Sequence, residues 1–393
     1  MVNSHYVPQL ILKKFSDRLS IYNIRTGEFA ESVNVDKAYS QKGFYDEKTE
    51  KNLNFKIESQ FGNLLANKLL RVGNIIELNR AELRLIKKFL LISTLRGRGN
   101  EAFLQKEKRF YENSIEKWRD FCITNGISAE KCKQGIKNMQ PPFEEKQIRG
   151  ETPYDYWMRT LNVILDTDGS PEEISNHPDK TYPAHRWAQI IAAGYLSFWD
   201  SEFIHDEFVI TDIGMTSENE RGWNGIDVFN NKKSSWLTSL LENEKETRYA
   251  DILQSQIYLQ EFFNENFEMY PISAKRMIVE ISPFYKFRQM YAWRYEMPEL
   301  DELTELVNED LFASNSVRYE KPQTSTLIPR YSPHDIYIYE VKKLTSEETR
   351  YCNELFLDRI NTYLGFSSLR KAVRSIIKYK NDNSYPYTPR VDY

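Results

Sequence analysis

Five residues carry side chains suited to acid–base or phosphate chemistry and stand in segments with a recognisable local pattern. They are His5, Gln9, Glu58, Arg96 and Asp212. A histidine changes its charge close to neutral pH, so it can accept or donate a proton or bind a metal. A guanidinium fits phosphate oxygens, and a carboxylate can orient the imidazole or hold a divalent ion such as Mg²⁺. These residue types are suited to cleaving phosphodiester bonds if the fold brings them together.

The first candidate is the segment that begins at His5. Pro8 suits the first turn of a helix, so Ser4 or His5 would lie at the helix cap or just before it. His5 and Gln9 are four positions apart and would share one helix face. The positive end of a helix disfavours an imidazolium, which leaves a neutral ring able to accept a proton or bind a metal. The alternative is structural: the segment anchors the N-terminus in the core, with His5 hydrogen-bonded to backbone.

Glu58 and the two arginines around Gly97 form the second candidate. Glu58 has apolar neighbours in a helical pattern, and a buried carboxylate needs a partner, which Arg96 or Arg98 could provide. The alternative is an ion pair that ties two long helices together. A glycine inside a helix costs about 1 kcal/mol relative to alanine, which suggests close packing or a ligand near Gly97. The alternative there is a solvated charged turn.

Asp212 follows a segment, residues 203–211, that reads as a buried strand. Strand ends often present a carboxylate to a cleft. The alternative is that Asp212 caps the next turn.

A run of basic and aromatic residues, 286–295, could contact a nucleic acid. Its Lys286 and Arg288 would contact phosphates, as Arg98 would, while its aromatic rings stack on bases. The same alternation fits the inward face of a strand, with the rings in the core.

The elements that must position these residues read as a mixture of strands and helices. Residues 19–24 and 29–35 predict a hairpin around Gly27, and residues 47–73 have apolar positions at helical spacing. Asn79 followed by Glu82 forms a capping box that starts a long helix at Arg80. Helical spacing then resumes over residues 103–121.

The second half of the chain alternates more often between the two kinds of element. Residues 152–165 and 251–267 predict helices, and 277–281 and 336–341 predict strands. Thr345 with Glu348 caps a last helix that is interrupted near Gly365 and ends near residue 380. The fold class is therefore α+β, with long helices in the middle packed on a mixed or antiparallel sheet. The strands of that sheet come from the N-terminal and C-terminal parts.

We expect one large domain over residues 1–393. Its parts are an N-terminal helix, hairpin and long helices (1–125), an irregular insertion or cap (126–185), strands with a C-terminal helix (186–380), and a tail (381–393).

Composition excludes several classes of protein. The net charge is −4, the hydrophobic content is 40%, and the three cysteines contain no Cys-x-x-Cys pair. Wholesale disorder, a disulfide framework and a zinc knuckle are therefore not expected. The longest apolar stretches fall short of the roughly 20 residues of a membrane-spanning helix, and no signal sequence is present. We expect a cytoplasmic protein without a membrane partner.

The opening motif resembles that of a known family. Residues 5–9 read HYVPQ, residues 43–45 read GFY, Glu58 follows Ile57, and Arg96 follows Leu95. Residues 208–212 and 270–273 are similar to further short segments of the same family. This is the bacterial domain of unknown function 4238 family, some members of which are implicated in defence against phage. The resemblance covers most of the chain.

Two hypotheses follow. In the first, the chain is an anti-phage effector of the abortive-infection type that hydrolyses nucleic acid, RNA in preference. His5 acts as acid or base, Arg96 holds the phosphate, and Asp212 or Glu58 orients the histidine or binds a metal. In the second, the same pocket is a non-catalytic sensor that recognises a phage-encoded protein or a phosphorylated ligand. The sequence leaves open the metal requirement, the trigger and the oligomeric state.

Overall fold

The structure is a computed structural model that describes residues 3–97, 119–120, 122–124, 126–133, 143–214, 216–219, 266–281, 316–318 and 333–381. Its strands are β1 (Asn3–His5), β2 (Arg18–Asn23), β3 (Phe29–Asn34), β4 (Ser40–Lys42), β5 (Ile75–Asn79), β6 (Tyr195–Ser201), β7 (Ile210–Thr211), β8 (Thr216–Asn219), β9 (Asn266–Pro271), β10 (Arg276–Ile281), β11 (Ser316–Arg318), β12 (Ile336–Leu344) and β13 (Tyr363–Phe366).

The helices fall into an N-terminal group, a middle group and a C-terminal pair. They are α1 (Gln9–Phe15), α2 (Glu47–Asn52), α3 (Ser59–Leu64), α4 (Arg80–Arg96), α5 (Pro153–Asp166), α6 (Pro171–Asn176), α7 (Tyr182–Ala193), α8 (Ser346–Arg359) and α9 (Leu369–Asn381). Two π-helical turns, Leu53–Glu58 and Leu65–Leu69, join α2 to α3 and extend α3.

The strands of the described ranges form three sheets. The largest has the order β11-β12-β6-β10-β9-β8, with β5 also paired to β12. Its β12–β6 pair is parallel and its other pairs are antiparallel. A second sheet has the order β3-β2-β13-β7, and β1 pairs with β4. Both larger sheets combine strands from the N-terminal and C-terminal parts, as the sequence predicts, and the fold class is α+β.

The largest sheet lies between two apolar layers, because residues alternate between its faces. On one face, Phe198 and Ile278 join a core built with α4, α5 and α7. On the other face, Trp199 and Met277 join a core with α8, α9 and β13. The sheet thereby buries both of its faces, and α4 is held along the first one.

Local signals fix several boundaries. Asn79 accepts a hydrogen bond from Glu82 N and Glu82 bonds back to Asn79 N, so the predicted capping box starts α4. The same reciprocal pair, Thr345 with Glu348, starts α8. In the β2–β3 hairpin, Gly27 has a φ of +73° in the turn, which favours glycine.

Three predictions of elements need correction. Of the strand predicted over residues 203–211, the buried end Ile210–Thr211 is present as β7, whereas residues 203–209 are a loop, with Ile204 73% exposed. The last helix is interrupted near Gly365 as predicted, but by a strand, β13, in which a Cβ at Gly365 would lie 2.4 Å from the Tyr39 hydroxyl. The span 126–185 is more regular than predicted, since it contains α5, α6 and the start of α7. The helices predicted over 103–121 and 251–267 lie outside the described residues except at their ends, and residues 266–267 begin β9.

None of the described helices combines the length and the apolar content needed to cross a lipid bilayer.

Candidate functional site

The candidate site lies where the C-terminal end of α4 meets the first residues of the chain. We call it the N-terminal cluster and define it by its members: Ser4, His5, Gln9, Glu50, Glu58 and Arg96. The helix α4 ends at Arg96 because Gly97 leaves the helical conformation, with a φ of −58° and a ψ of 162°. A side chain at Gly97 would place its Cβ 2.8 Å from the carbonyl oxygen of Ile213. The glycine therefore allows close backbone packing, one of the two readings of the sequence.

The Arg96 guanidinium is fully engaged by the chain itself. Its Nε and Nη2 donate to the carbonyl oxygen of His5 at 3.0 and 2.5 Å. Its Nη1 forms an ion pair with the Glu58 carboxylate. Arg96 is only 2% exposed, and its guanidinium carbon lies 5.4 Å from the centre of the Tyr45 ring. The predicted ion pair between two helical segments is present, and in this geometry Arg96 holds the backbone of His5.

Two aromatic residues hold the end of α4 in place. The Tyr45 hydroxyl donates to the carbonyl oxygen of Arg96 at 2.9 Å, and the Trp157 Nε1 donates to the carbonyl oxygen of Leu95 at 2.8 Å. Helix C-termini leave such carbonyl groups without helical partners, so these two donors satisfy them. The rings of Tyr45 and Trp157 lie 5.5 Å apart, centroid to centroid. These two hydrogen bonds hold the last turn of α4, and with it the backbone of Arg96, in place.

His5 lies in β1, and not at the cap of α1 as the sequence predicts. Strand β1 pairs with β4, and α1 is preceded by Pro8 as its cap residue. The contact with Gln9 nevertheless forms, because its Nε2 lies 3.2 Å from His5 Nε2. An amide nitrogen can only donate, so His5 Nε2 accepts and the ring proton lies on Nδ1. Gln9 Nε2 also donates to Asp36 Oδ1 at 3.1 Å, which agrees with this assignment.

The His5 ring is held in its neutral form. Burial lowers the pKa of His5 below its usual value of 6.5, a hydrogen bond with the Val35 backbone opposes that shift, and the Arg96 charge reinforces it. A neutral imidazole with an unprotonated Nε2 can act as a proton acceptor.

Glu50 is a member of the cluster that the sequence analysis missed. Burial raises the pKa of Glu50 above its usual value of 4.5, the Arg96 charge opposes that rise, and the Glu58 charge reinforces it. Its Oε2 is buried and has no hydrogen-bond partner among the described residues, and the Ser4 side chain lies beside it. The cluster thus holds one carboxyl group paired with an arginine and one whose charged form burial disfavours.

Asp212 precedes Ile213, which packs against Gly97, and its carboxylate accepts from a residue outside the cluster. The Oδ1 accepts the Asn361 N–H at 3.1 Å, and the Asp212 N–H donates to the carbonyl oxygen of Tyr363, also at 3.1 Å. Burial, followed by the Asp212 charge, raises the pKa of Tyr39 well above its usual value. This carboxylate contact joins Asp212 to the segment before β13, rather than to the turn that follows Asp212.

The structure provides different surroundings for the two carboxylates that could have shared a metal ion. Glu58 is paired with Arg96, whereas the described partner of the Asp212 carboxylate is Asn361. Within the described ranges no three side chains of His, Cys, Asp or Glu converge as a metal site requires. These residues do not fit a Mg²⁺ site. Arg98, Lys286 and Arg288 lie outside the described residues, so their phosphate contacts stay predictions.

With the geometry established, the chain can be compared with known proteins. A family model for proteins of unknown function, DUF4238, matches residues 3–368. This chain belongs to the DUF4238 family. The match includes His5, Arg96, Asp212 and the other described members of the site, so the resemblance read from the HYVPQ segment identified the right family. Neither the curated proteins nor the solved structures contain a significant match.

The sequence contained a partial signal for the missing members. The Gly43-Phe44-Tyr45 turn stands out by its two aromatic residues, and Tyr45 indeed supports Arg96. Glu50 gave no such signal, because Glu47 and Glu50 look alike on a short charged helix. Only the position of α2 beside Arg96 distinguishes them.

Proposed function

We propose that this DUF4238 protein is an anti-phage defence effector that cleaves RNA by general acid–base catalysis in the N-terminal cluster. His5 accepts a proton and Glu50 donates one. The observation that carries the proposal is the pairing of a neutral imidazole with a carboxyl group of raised pKa beside the same arginine. Two titratable groups with oppositely tuned environments are the usual arrangement for acid–base catalysis.

His5 is suited to be the base because its unprotonated Nε2 points at a replaceable partner. Gln9 is only half-buried and has a second acceptor in Asp36, at 3.1 Å. A substrate hydroxyl can take the place of the amide at Nε2 while Gln9 keeps its bond to Asp36. The Arg96 fork, by holding the His5 carbonyl, keeps the ring in position, so Arg96 acts as a positioning residue.

Glu50 is suited to be the acid because burial favours its protonated form. A protonated carboxyl can donate to a leaving group, and a raised pKa keeps more of that form at neutral pH. Glu50 is half-buried, and the Glu58 side chain is 16% exposed, so the cluster reaches solvent along these carboxyl groups.

RNA is the favoured substrate because it contains its own nucleophile. His5 takes the proton of the 2′-hydroxyl as that oxygen attacks the neighbouring phosphorus, and the bond from phosphorus to the 5′-oxygen breaks. Glu50 gives its proton to the departing 5′-oxygen. The products are a 2′,3′-cyclic phosphate and a free 5′-hydroxyl, and no metal is needed to generate the nucleophile. The predicted basic contacts Arg98, Lys286 and Arg288 would hold the phosphate.

The direct test is cleavage of labelled RNA and of the same sequence as single-stranded DNA, with Mg²⁺ and with EDTA. We expect RNA cleavage in both buffers and a loss of about 100-fold or more for His5→Ala and for Glu50→Gln. Glu47→Gln is the matched control, since Glu47 lies on the same helix and is paired only with the exposed Lys51. Far-ultraviolet circular dichroism confirms that each variant is folded. Equal rates for the wild type and His5→Ala would refute the catalytic assignment.

The defence role is tested in cells. Bacteria that express the wild type are challenged with a panel of phages, and the efficiency of plating is compared with that of cells expressing His5→Ala, Glu50→Gln or Glu47→Gln. We expect protection against at least one phage, abolished by the first two changes and kept by the third. Protection by His5→Ala equal to that of the wild type would separate defence from this site.

A second candidate function, a non-catalytic sensor, is favoured by the complete engagement of Arg96. Its donors bind His5 and Glu58 and hold the N-terminal strand against α4, so a ligand that takes over Glu58 or His5 would release β1. This function predicts no turnover of RNA or DNA by the wild type. It also predicts that Arg96→Lys, which loses the two-pronged bond to His5, changes protection in cells although no substrate is cleaved.

A further inference from the structure

A second pair of carboxyl groups lies in the largest sheet, away from the N-terminal cluster. Glu268 of β9 and Glu280 of β10 are direct partners across the two strands. Directly opposed residues project from the same face of a sheet, with Cβ atoms about 5 Å apart. Both residues are 0% exposed. We call these two residues the carboxyl pair.

The carboxyl pair has fewer donors than it needs as two carboxylates. The Tyr270 hydroxyl lies 2.5 Å from Glu268 Oε2 and 2.5 Å from Thr94 Oγ1. Glu268 Oε1 and both oxygens of Glu280 are buried without a hydrogen-bond partner among the described residues. Each buried acceptor left unpaired costs about 1–3 kcal/mol, and an unpaired charge costs more.

Among the described residues, one cation and one phenol face the pair from the elements packed against it. Lys87 of α4 donates to the carbonyl oxygens of Ala192 and Gly194, at 2.7 and 2.9 Å, and so caps the end of α7. Because Glu280 has no hydrogen-bond partner, the Lys87 ammonium does not bond to it. The phenol is Tyr270, described above. On the α7–β6 side, Glu280 packs against Gly194, where a Cβ would lie 1.2 Å from Glu280 Oε1.

We infer that Glu268 and Glu280 form one proton-binding site, in which Glu280 carries a proton at neutral pH and donates it to Glu268 Oε1. A single proton satisfies both residues, because it removes the charge of the group without donors and gives Glu268 the donor that its second oxygen lacks. Glu268 keeps the negative charge, which the Tyr270 hydroxyl stabilises. The proton joins β9 to β10 at the end of the sheet that α4 and Gly194 cover.

The pKa shifts agree with this arrangement. Burial raises the pKa of Glu280 well above its usual 4.5, with the Glu268 charge reinforcing and the Lys87 charge opposing the rise. Burial also raises the pKa of Glu268 to about 7, with hydrogen bonds from Tyr270 and Thr94 opposing the rise. The pair thus binds more protons in the folded than in the unfolded chain above pH 4.5, so its contribution to stability falls as pH rises from there toward the raised pKa values.

The test is the pH dependence of the melting temperature of Glu280→Gln. The amide mimics a neutral carboxyl that donates to Glu268. We expect the variant to melt at or near the wild-type temperature at pH 5 and above it at pH 8. A decrease of equal size at both pH values would overturn the inference, because it would show an ionised Glu280 that depends on Lys87.

The test has a matched control variant, and a second measurement applies if Glu280→Gln does not fold. Glu207 is equally buried, but its carboxylate accepts from Ser367 N at 2.8 Å and Ser368 N at 3.0 Å, so Glu207→Gln should not gain stability at pH 8. If Glu280→Gln does not fold, infrared spectra of the Glu50→Gln protein labelled with ¹³C-glutamate are recorded at pH 7.5. A carboxyl band of a protonated glutamate is expected, and its absence would refute the shared proton.

Discussion

Two regions of this protein bury a pair of glutamates, and they neutralise the pair by different means. In the N-terminal cluster, Arg96 lies against Glu58 and within the electrostatic reach of Glu50. In the carboxyl pair, the cation that acts on Glu280 among the described residues is Lys87, whose ammonium binds backbone carbonyls instead. In the carboxyl pair, a bound proton takes the neutralising role that Arg96 has in the N-terminal cluster. The difference shows that a buried acid is informative about function only when its donors are known.

Solvent access separates the two regions as well. Glu50 is half-buried and Glu58 is 16% exposed along its side chain, so solvent reaches the first region at these two carboxyl groups. Glu268 and Glu280 are 0% exposed and covered by α4 and Gly194. We therefore assign chemistry to the cluster and a structural proton to the carboxyl pair.

The largest expected effect is that of Arg96→Ala. Removing this guanidinium leaves the Glu58 carboxylate and the His5 carbonyl without their donors in a buried setting, which costs about 3–5 kcal/mol. Urea unfolding measures the free energy of unfolding, with Arg96→Lys as a control that keeps the charge and loses the fork. A loss below about 1 kcal/mol would show that the arginine does not compensate the cluster.

Lys87→Met addresses the other region and should cost less. The change removes two hydrogen bonds from an ammonium to backbone carbonyls, of which the exposed one to Ala192 contributes little and the part-buried one to Gly194 is worth about 1.5–3 kcal/mol. It leaves no unpaired charge if Glu280 is protonated. Urea unfolding at pH 7 is again the measurement. A loss as large as that of Arg96→Ala would mean that Lys87 neutralises an ionised Glu280, and the contrast between the two regions would fail.

Within the cluster, Glu58→Gln and Glu50→Gln should differ. Glu58→Gln replaces an ion pair of a buried arginine by a neutral contact and should cost about 1–3 kcal/mol. Glu50→Gln removes a carboxylate whose charged form burial already disfavours, so at pH 7 its effect should be smaller, within about 0.5 kcal/mol. Thermal unfolding of the two variants side by side checks this order, and the reverse order would contradict the assignment of Glu50 as the protonated acid.

The parts of the structure that follow from short-range signals could be predicted from the sequence. Asn79 and Thr345 each stand three residues before a glutamate, and both capping boxes are confirmed. The hairpin around Gly27 is confirmed for the same reason, since a turn residue and its flanking strands are neighbours in the chain. The strand predicted over 203–211 is present only at its end, in β7, because an apolar run does not show which of its residues pair with a neighbouring strand.

The candidate site depends on contacts between distant segments, and such contacts are harder to predict from the sequence than local elements. His5 and Gln9 do meet, although His5 is in a strand that pairs with residues 40–42. The sequence leaves open whether Arg96 or Arg98 pairs with Glu58, and the packing of α4 brings Arg96 to the carboxylate. Glu50 and the carboxyl pair had no spacing signal, because partners on neighbouring strands are set by register, and Glu268 and Glu280 are twelve positions apart.

The protonation of His5 in the wild-type protein tests the central claim most directly. A ¹H–¹⁵N correlation spectrum that reports both ring nitrogens is recorded over a pH series, and His5→Gln assigns the signal. The account predicts a neutral ring with its proton on Nδ1 and an unprotonated Nε2, and a pKa below 6.5. A ring that is protonated on Nε2 at neutral pH, or that titrates above 6.5, would contradict the account, because His5 could then not accept the proton of a substrate hydroxyl.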